Sequence, residues 1–464
     1  MALNQDTHAG WSLQFHVPDL IEPSLAVRTE EDLNVDYPRP GSKFRKNVGI
    51  VVSELLSTAA RALEKPIEPC PSIRIFAHGG FNKVFLIIFP AGVEVIARIP
   101  FPKDYSEIRM RSEIATMLFA RQRLGLPAPR LFAWCLTADH PVGAPFILME
   151  RLPGVPLSEN LWFNTLSPDN RKLLLGRIAE SHARLVRSLP FTEVGNLFVS
   201  DMEKVQSHPD KALPDECFYV GPFVPSQKFS NDRKDVPNPT SSFPTILDHW
   251  KRASCLEFEA AHARWARKGD PYIVSEDDAG MALNNQPQTT ADFADAYRNL
   301  NAILGAYHTP PEFSSLCLWH NDFAFRNILI DPDTLTITGM LDWEDVSIVP
   351  LILAARCPDE TEQTNIDYRG WSFYPDEWIQ FQPREDDPQH GEECMDLTWD
   401  RWYYSAQLAQ QDPRFCARIW RDSEISLKLH EIVSKGWFFW LEKKQWLAET
   451  ASGLVSSYAV TPDR

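Results

Sequence analysis

The segment LWHNDFAFRNILIDP, residues 318–332, constrains this chain more than any other stretch of its sequence. His320, Asp322 and Asn327 stand within eight residues, and an Ile-Leu-Ile run follows Asn327 directly. Apolar residues this close to a polar triplet indicate a loop that enters a buried strand. We therefore expect the three polar side chains to be held over something other than solvent.

A second apolar run, LTITGMLDWEDV at residues 335–346, follows the turn residues Asp331-Pro332-Asp333. Turn residues between two apolar runs predict a hairpin. We place its first strand at Asn327 to Ile330 and its second at Thr336 to Leu341. The sequence therefore predicts a loop, a strand, a tight turn and a second strand, in that order.

A tight hairpin brings its two ends together, so we expect Asn327 and Asp342 to lie side by side, with Asp322 on the loop above them. Two carboxylates and an amide oxygen around one point suit a hard divalent cation that also binds phosphate oxygens. The alternative is an Asp/Asn-rich turn between core strands, because the spacing H-x-D-x-x-x-x-N alone is a weak signal. The aspartate after the second strand favours the cation site.

Residues 72–100 are rich in β-formers and are predicted to form three antiparallel strands. The turn between the first two strands lies in AHGGFNKVF, at residues 77–85. Its candidate binding residues are Gly79, Gly80, Phe81 and Asn82. Glycine lacks a Cβ, so backbone N–H groups there can approach phosphates closely. A Gly-Gly pair in a hairpin is nevertheless more often only a turn.

The segment VIARIP places Arg98 inside an apolar strand. A charge in that position needs a partner or an anion. Glu113, on a helix predicted at residues 105–122, is the expected partner, with phosphate groups as a third participant. The alternative is an arginine at a solvated strand edge.

The chain is predicted to have three parts. They are an N-terminal extension at residues 1–71 with one helix near 47–65, a small lobe at 72–152, and a helical lobe at 153–464 that contains the loop 318–346. Ser167 and Pro168 are the expected N-cap and first residue of a helix. Eight prolines and few periodic runs at residues 190–244 predict an irregular insertion.

Charge excludes several kinds of partner. With 46 basic and 63 acidic residues the net charge is −17, so we expect no binding to nucleic acid or to anionic lipid. The eight cysteines are scattered without a CxxC pair, which is typical of reduced thiols. The N-terminus resembles neither a secretory signal nor a transit peptide, and no apolar run approaches a membrane span. These observations predict a cytoplasmic protein, and they leave its oligomeric state open.

HNDFAFRN, taken together with LDWE, resembles the aminoglycoside phosphotransferase and choline kinase family. GGFNKVF and VIARIP are similar to segments of its fungal branch, and the resemblance covers about residues 72–350. It implies an α+β, bilobal protein-kinase-like fold. The N-lobe would be small, antiparallel and β-rich, and the C-lobe large and mainly helical.

The resemblance also implies an activity, the transfer of the γ-phosphate of ATP to a hydroxyl of a small-molecule acceptor with Mg²⁺ as cofactor. Asp322 would be the catalytic base and His320 would brace the loop. Asn327 and Asp342 would bind magnesium.

ATP would lie between the lobes, with its adenine against the strand that ends at Met149-Glu150. Its phosphates would contact Arg98, which pairs with Glu113. The wider kinase pattern has lysine at the position of Arg98. Arginine keeps the charge and adds a two-pronged donor, so phosphate binding is expected to persist with a different geometry.

Two other functions fit parts of the pattern. A protein kinase would carry HRD, DFG and APE, whereas this chain has HND and LDW and no APE. A non-catalytic nucleotide-binding regulator, similar to mitochondrial-inheritance proteins, is kept open by Arg98, although Asp322, Asn327 and Asp342 argue against it.

The acceptor is predicted to be cationic and amine-bearing. Residues 357–400 contain 13 acidic residues but only two basic ones, Arg369 and Arg384, and aromatic residues are interleaved in YRGWSFYPDEW. A desolvated ammonium over an aromatic face gains about 2 kcal/mol. The alternative is a solvated acidic loop.

Overall fold

The computed structural model of the chain describes residues 48–67, 71–78, 81–90, 92–102, 105–158, 161, 165–209, 211–224, 236–237, 240–268, 272–273, 288–358 and 388–458. For residues 264–268, 272–273, 288, 388–399 and 454–458 only the backbone is described.

The chain divides into two compact units. The first runs through Glu107 and adds Pro129–Arg151 and Met202–Lys211; the second comprises Ile108–Ala128, Leu152–Asp201 and Ala212–Arg464. Each unit therefore draws on segments that are distant in sequence.

The first unit contains a five-stranded antiparallel sheet. Its strands are β1 (Ser72–His78), β2 (Asn82–Ile88), β3 (Glu94–Pro100), β4 (Leu131–Cys135) and β5 (Phe146–Glu150), in the order β1-β2-β3-β5-β4. Helix α1 (Val52–Ala62) packs its buried Leu55 and Ala59 into the same apolar core as Phe85, Ala97 and Leu148. Ala97 is the cross-strand neighbour of both Phe85 and Leu148, so one face of the sheet is buried under α1.

The remaining elements belong mainly to the second unit. The helices are α2 (Glu107–Arg123), α3 (Pro168–Leu185), α4 (Met202–Ser207, in the first unit), α5 (Ile246–Lys268), α6 (Thr290–Ala306), α7 (Leu351–Ala354), α8 (Pro388–Gln411), α9 (Ala417–Lys435), α10 (Trp437–Glu442) and α11 (Lys444–Tyr458). The strands are β6 (Val155–Pro156), β7 (Gly195–Val199), β8 (Phe218–Gly221), β9 (Tyr272–Ile273), β10 (Gln288–Thr289), β11 (Leu316–Trp319), β12 (Ile328–Ile330), β13 (Ile337–Met340) and β14 (Ser347–Pro350).

Capping residues fix where two of these helices begin. The Ser167 side chain accepts a hydrogen bond from the backbone N–H of Asn170, and Pro168 occupies the first turn of α3, as predicted. In α6, Thr289 and Asp292 form a reciprocal capping box. Each cap satisfies N–H groups that have no partner within the helix.

Two small sheets flank the loop at residues 318–327. One has the order β11-β14-β7-β8 and the other β13-β12-β6, and all their pairings are antiparallel. The predicted α+β class, with an antiparallel β-rich N-lobe and a mainly helical C-lobe, is confirmed.

The segment at residues 190–244, which was expected to be an irregular insertion, has short regular elements in less than half of its described residues. This segment contains β7, α4 and β8, and β7 pairs with β14 through Ser347 and Asn196. These elements have only four to six residues each, which is too short for a periodic pattern to emerge between prolines.

In the part of the chain that the structure describes, no helix is both long and apolar enough to cross a membrane. Six cysteines are described with their side chains (135, 217, 255, 317, 357 and 416), and each is a free thiol.

Two histidines of the second unit are shielded from solvent: His182 is buried and His430 is half-buried. The imidazole of His182 accepts a hydrogen bond from the hydroxyl of Tyr404 (2.5 Å) and donates one to the carbonyl of Ala354 (3.1 Å). His430 accepts one from the indole N–H of Trp250 (3.2 Å). Burial, with a smaller contribution from nearby His320, lowers the pKa of His182 to about 4, and burial together with the charge of Arg356 lowers that of His430 to about 4. Both rings are therefore neutral in the folded protein at pH 7.

We expect this burial to make the fold sensitive to acid. Between pH 6.5 and 4 the unfolded chain binds protons that the two native rings do not, so the free energy of unfolding falls as the pH falls. Each histidine should account for a loss of about 1–2 kcal/mol between pH 7 and pH 5. Urea denaturation across this range measures the slope.

His430→Asn, which keeps an acceptor for Trp250, should reduce the slope, whereas the same change at the exposed His308 should not. An unchanged slope in the His430 variant would contradict the assignment.

Candidate functional site

The site is built on the β12–β13 hairpin. Ile328 lies opposite Met340, and beyond this pair the backbone N–H of Leu341 donates to the carbonyl of Asn327 (2.8 Å). This bond closes the open end of the hairpin. Asn327 and the start of the segment that carries Asp342 are therefore adjacent, as predicted.

The loop before the hairpin holds the carboxylate of Asp322 from two sides. The amide nitrogen of Asn327 donates to Asp322 Oδ2 (2.8 Å) and to the Asp322 carbonyl (2.9 Å). The guanidinium of Arg326 donates to Asp322 Oδ1. The Asp322 side chain is still one-third exposed. It is therefore fixed in orientation and also accessible.

His320 links the loop to the end of the hairpin. Its Nε2–H donates to the carbonyl of Leu341 (2.9 Å), and its ring meets Trp343 edge-on at a centroid distance of 5.3 Å. Burial lowers the pKa of His320 and so favours the neutral ring, and the bond to Leu341 then selects the tautomer that carries its proton on Nε2. Its Nδ1 has no hydrogen-bond partner among the described residues and borders a cavity that is also lined by Trp319 and Phe323.

Asp342 adopts an unusual backbone conformation. Its φ is +60°, and that of Asp345 is +58°. The left-handed region costs an ordinary residue about 1–2 kcal/mol, although aspartate tolerates it better than most. Trp343, between them, is buried and donates its indole N–H to the carbonyl of Met340 (2.8 Å). The surrounding structure thus holds this turn in place, and the Asp342 side chain is exposed.

Arg109 of helix α2 reaches the same turn. Its Nε and Nη2 donate to the two carboxylate oxygens of Asp345 (3.0 and 2.8 Å), and Nη2 lies 2.6 Å from Glu344 Oε2. The Arg109 side chain is only 9% exposed. Glu344 is thus paired with an arginine.

The donor atoms at the hairpin end suit a divalent cation. Because Asn327 uses its amide nitrogen on Asp322, its Oδ1 remains available, and no described residue donates to it. The carboxylate of Asp342 supplies a second oxygen at the neighbouring backbone position. No group of three His, Cys, Asp or Glu side chains in the described ranges could hold a metal. A cation bound here would thus complete its shell with phosphate or water oxygens, as Mg²⁺ usually does.

The predicted nucleotide-binding residues of the sheet are found in the first unit. Phe81 is exposed, and its carbonyl accepts from the N–H of Phe101 (2.9 Å). Asn82 opens β2, and Arg98 lies within β3 opposite Val84 and Ile147, where it is half-buried. Gly79 and Gly80 fall outside the described residues.

Met149 and Glu150 end β5 and are half-buried. The Glu150 carboxylate accepts from the N–H of Arg130 (3.0 Å). Glu113 is buried on helix α2, in the second unit, whereas Arg98 is in the first. Their pairing therefore stays a prediction.

Two cations were missed by the sequence interpretation. Arg109 stands four residues before Glu113, on the same helical face, and this spacing was the available signal. Lys83 in β2 is fully buried, with its ammonium 5.7 Å from the centre of the Phe85 ring. A lysine next to a glycine turn gives no indication of burial.

Relatives of this chain were found among fungal proteins. A subtelomeric hrmA-associated cluster protein of Aspergillus fumigatus is 31% identical over 316 residues, which cover 62% of this chain and 60% of the relative. The mitochondrial protein named altered inheritance of mitochondria protein 9 of Kluyveromyces lactis is 27% identical over 321 residues, covering 62% and 50%. The matches thus span only about half to three-fifths of these relatives' length.

Solved structures of lower identity are also similar. Ethanolamine kinase of Plasmodium vivax aligns with a TM-score of 0.40 at 14% identity, covering 84% of this chain and 82% of that one. An aminoglycoside-3′-phosphotransferase of type VIII aligns with a TM-score of 0.34 at 15% identity, covering 78% and 99%. Scores this low add nothing about activity.

The sequence profile of the phosphotransferase enzyme family matches residues 72–353. The matched range begins with β1 and ends within α7, so it contains both the five-stranded sheet and the hairpin with its polar loop. It covers more than half of the chain. The chain therefore belongs to the phosphotransferase enzyme family.

Proposed function

We propose that this protein is an ATP- and Mg²⁺-dependent kinase that phosphorylates a hydroxyl of a small molecule. The observation that carries the proposal is the fixed carboxylate of Asp322 beside Asn327 and the segment that carries Asp342. Phosphoryl transfer requires little more from a protein than positioning and charge neutralisation. Membership of the phosphotransferase enzyme family supports the same conclusion.

In this proposal Asp322 is the catalytic base. Its partly exposed carboxylate accepts the proton of the acceptor hydroxyl as the oxygen attacks the γ-phosphorus, and the bond from that phosphorus to the β,γ-bridging oxygen breaks so that ADP leaves. Asn327 and Arg326 hold the two carboxylate oxygens, which limits rotation of the side chain. A fixed orientation matters because a small misplacement of a reacting group has a large effect on rate.

Asn327 Oδ1 and the Asp342 carboxylate would hold the magnesium ion. When bound, Mg²⁺ neutralises phosphate charge and favours the in-line arrangement of attacking and leaving oxygens. His320 keeps Leu341 in place, and Leu341 in turn anchors the backbone of Asn327. We assign His320 a bracing role and not a chemical one.

ATP binding is assigned to the first unit, on the residues predicted from the sequence. Those within the described ranges are Phe81, Asn82, Arg98, Met149 and Glu150. The guanidinium of Arg98, flanked by apolar strand neighbours, would interact with phosphates, with Glu113 as its partner.

A second candidate function is a nucleotide-binding regulator without catalysis. The yeast relatives named for altered inheritance of mitochondria favour it, and their names also include the word mitochondrial. The sequence of this chain predicts the cytoplasm instead, and we keep that as the proposed compartment. Mg²⁺-dependent turnover of ATP, as opposed to binding alone, separates the two functions.

The direct test is a screen of hydroxyl- and amine-bearing metabolites for ATP consumption. A genuine acceptor should give a product whose mass increases by one phosphate. If no compound supports turnover while ATP binds, the regulator is favoured.

Asp322→Asn should abolish phosphoryl transfer and leave ATP binding close to that of the wild type. The change is isosteric, so the fold should persist, and a general base typically contributes a factor of about 10²–10⁴ to the rate. Turnover and ATP affinity are measured on the same preparation. Asp333→Asn, an exposed aspartate in the turn of the same hairpin, is the matched control.

A variant at Asp322 that keeps more than about a tenth of wild-type turnover would exclude Asp322 as the base.

We further propose that the acceptor carries an amine. The support is the acid-rich composition of residues 357–400, most of which lie outside the described residues. A focused acidic pocket should favour an amine-bearing acceptor over a neutral one at low ionic strength, and this preference should weaken as salt rises. The measurement is kcat/KM for matched amine and neutral hydroxyl compounds at low and high salt.

A neutral or anionic acceptor preferred at every ionic strength would leave the acidic segment as a solvated loop.

A further inference from the structure

Helix α2 holds the turn that carries Asp342. Arg109 donates to both carboxylate oxygens of Asp345 and lies against Glu344, in the arrangement given above. The exposed fractions of the three side chains are 9%, 18% and 10%. A mostly buried ion pair of this geometry is well oriented, because the planar guanidinium matches the carboxylate fork.

The turn is also held on both sides of this ion pair. His320 donates to the carbonyl of Leu341 before it, and the amide nitrogen of Asn196 donates to the carbonyl of Val346 after it (3.0 Å). These two bonds fix the backbone at the two ends. Arg109 holds the middle of the turn through Glu344 and Asp345.

The positive charge of Arg109 has a second effect on this turn. Asp342, Glu344 and Asp345 place three carboxylates within four residues. Without a cation nearby they would repel one another, and Glu344 could compete with Asp342 for a bound metal. Arg109 engages Glu344 and Asp345, and the Asp342 side chain is exposed.

We propose that Arg109 is a positioning residue for divalent-cation binding, and that it acts by fixing the turn at residues 342–345. The inference rests on the proposed Mg²⁺-dependent function and adds to it a residue 236 positions away from Asp345 in the chain. Arg109 does not touch the cation. Its role is to keep Asp342 in the left-handed conformation that the turn requires.

The experiment measures ATP binding by isothermal titration calorimetry, once in EDTA and then at a series of Mg²⁺ concentrations. Arg109→Met should raise the Mg²⁺ concentration needed for half-maximal enhancement of ATP binding by about 10–100-fold, the usual effect of removing a residue that supports a metal ligand. ATP affinity in EDTA should not change. Arg109→Lys, which keeps the charge but loses the fork, should lie between the wild type and Arg109→Met.

Arg171→Met is the matched control. Arg171 is also a buried helical arginine that faces a carboxylate, Asp400, at 3.7 Å. A purely structural ion pair would make the two methionine variants alike in urea denaturation and in Mg²⁺ dependence. If Arg109→Met and Arg171→Met show the same Mg²⁺ dependence, the positioning role of Arg109 is excluded.

Asp345→Asn gives a second approach if Arg109→Met folds poorly. This change weakens the same ion pair by removing the charge of the carboxylate partner, so it should also raise the Mg²⁺ concentration that is needed. In a double-mutant cycle with Arg109→Lys the two effects should be less than additive, and full additivity would show that the pair is not coupled.

Failure of the proposed function has a different signature. If ATP binding by the wild type is independent of Mg²⁺, the proposed function and this inference are both wrong. If the wild type depends on Mg²⁺ and the Arg109 variants match it, only the inference is wrong.

Discussion

The backbone hydrogen bond from Leu341 to Asn327 is the contact on which the candidate site depends. It closes the hairpin whose ends carry the two proposed metal ligands. The hairpin is held in register by hydrophobic burial, since β12 is completely buried between β13 and β6. A slip of one residue would exchange the two buried environments that Ile328 and Leu329 occupy and would separate Asn327 from Asp342. Gly154, next to β6, adds a steric constraint on the same strands. Its φ is +99°, and a Cβ there would lie 2.6 Å from the carbonyl oxygen of Ile330. The polar geometry thus follows from apolar packing.

Around this hairpin, buried polar groups hold the exposed ones. His320 and Arg109 are almost fully buried, and each uses its donors on the segment around Asp342. A buried polar group without a partner is costly, so these side chains strongly favour the one arrangement that satisfies them. Asp322 and Asp342 nevertheless keep accessible side chains, since Asp322 is one-third exposed and Asp342 is exposed. We infer that the buried His320 and Arg109 hold the backbone, whereas the accessible Asp322 and Asp342 are the residues proposed to act on the substrate and the cation.

Local patterns accounted for what the sequence predicted correctly. The hairpin, the N-cap at Ser167 and the three strands at residues 72–100 each depend on residues close together in the chain, where alternation, turn chemistry and capping act. Features that depend on distant residues were missed. Nothing near Arg109 indicates that its partner is Asp345, and charged residues on a helix usually face solvent. The short strand β7 was likewise missed, because it is defined by its pairing with β14 and not by its own composition.

The contacts at position 109 explain why an arginine suits this position. Arg109 uses Nε and Nη2 to reach three carboxylate oxygens on two residues, Glu344 and Asp345. A lysine ammonium would carry the same charge, but it is a point donor on a flexible stem and could not match the planar fork. Two adjacent acids in a partly buried turn, one of them in a left-handed conformation, are therefore better matched by an arginine than by a lysine. Helix α2 supplies it, and the same helix carries Glu113. One helix therefore carries both the arginine that holds the candidate metal-binding turn and the residue predicted to pair with Arg98.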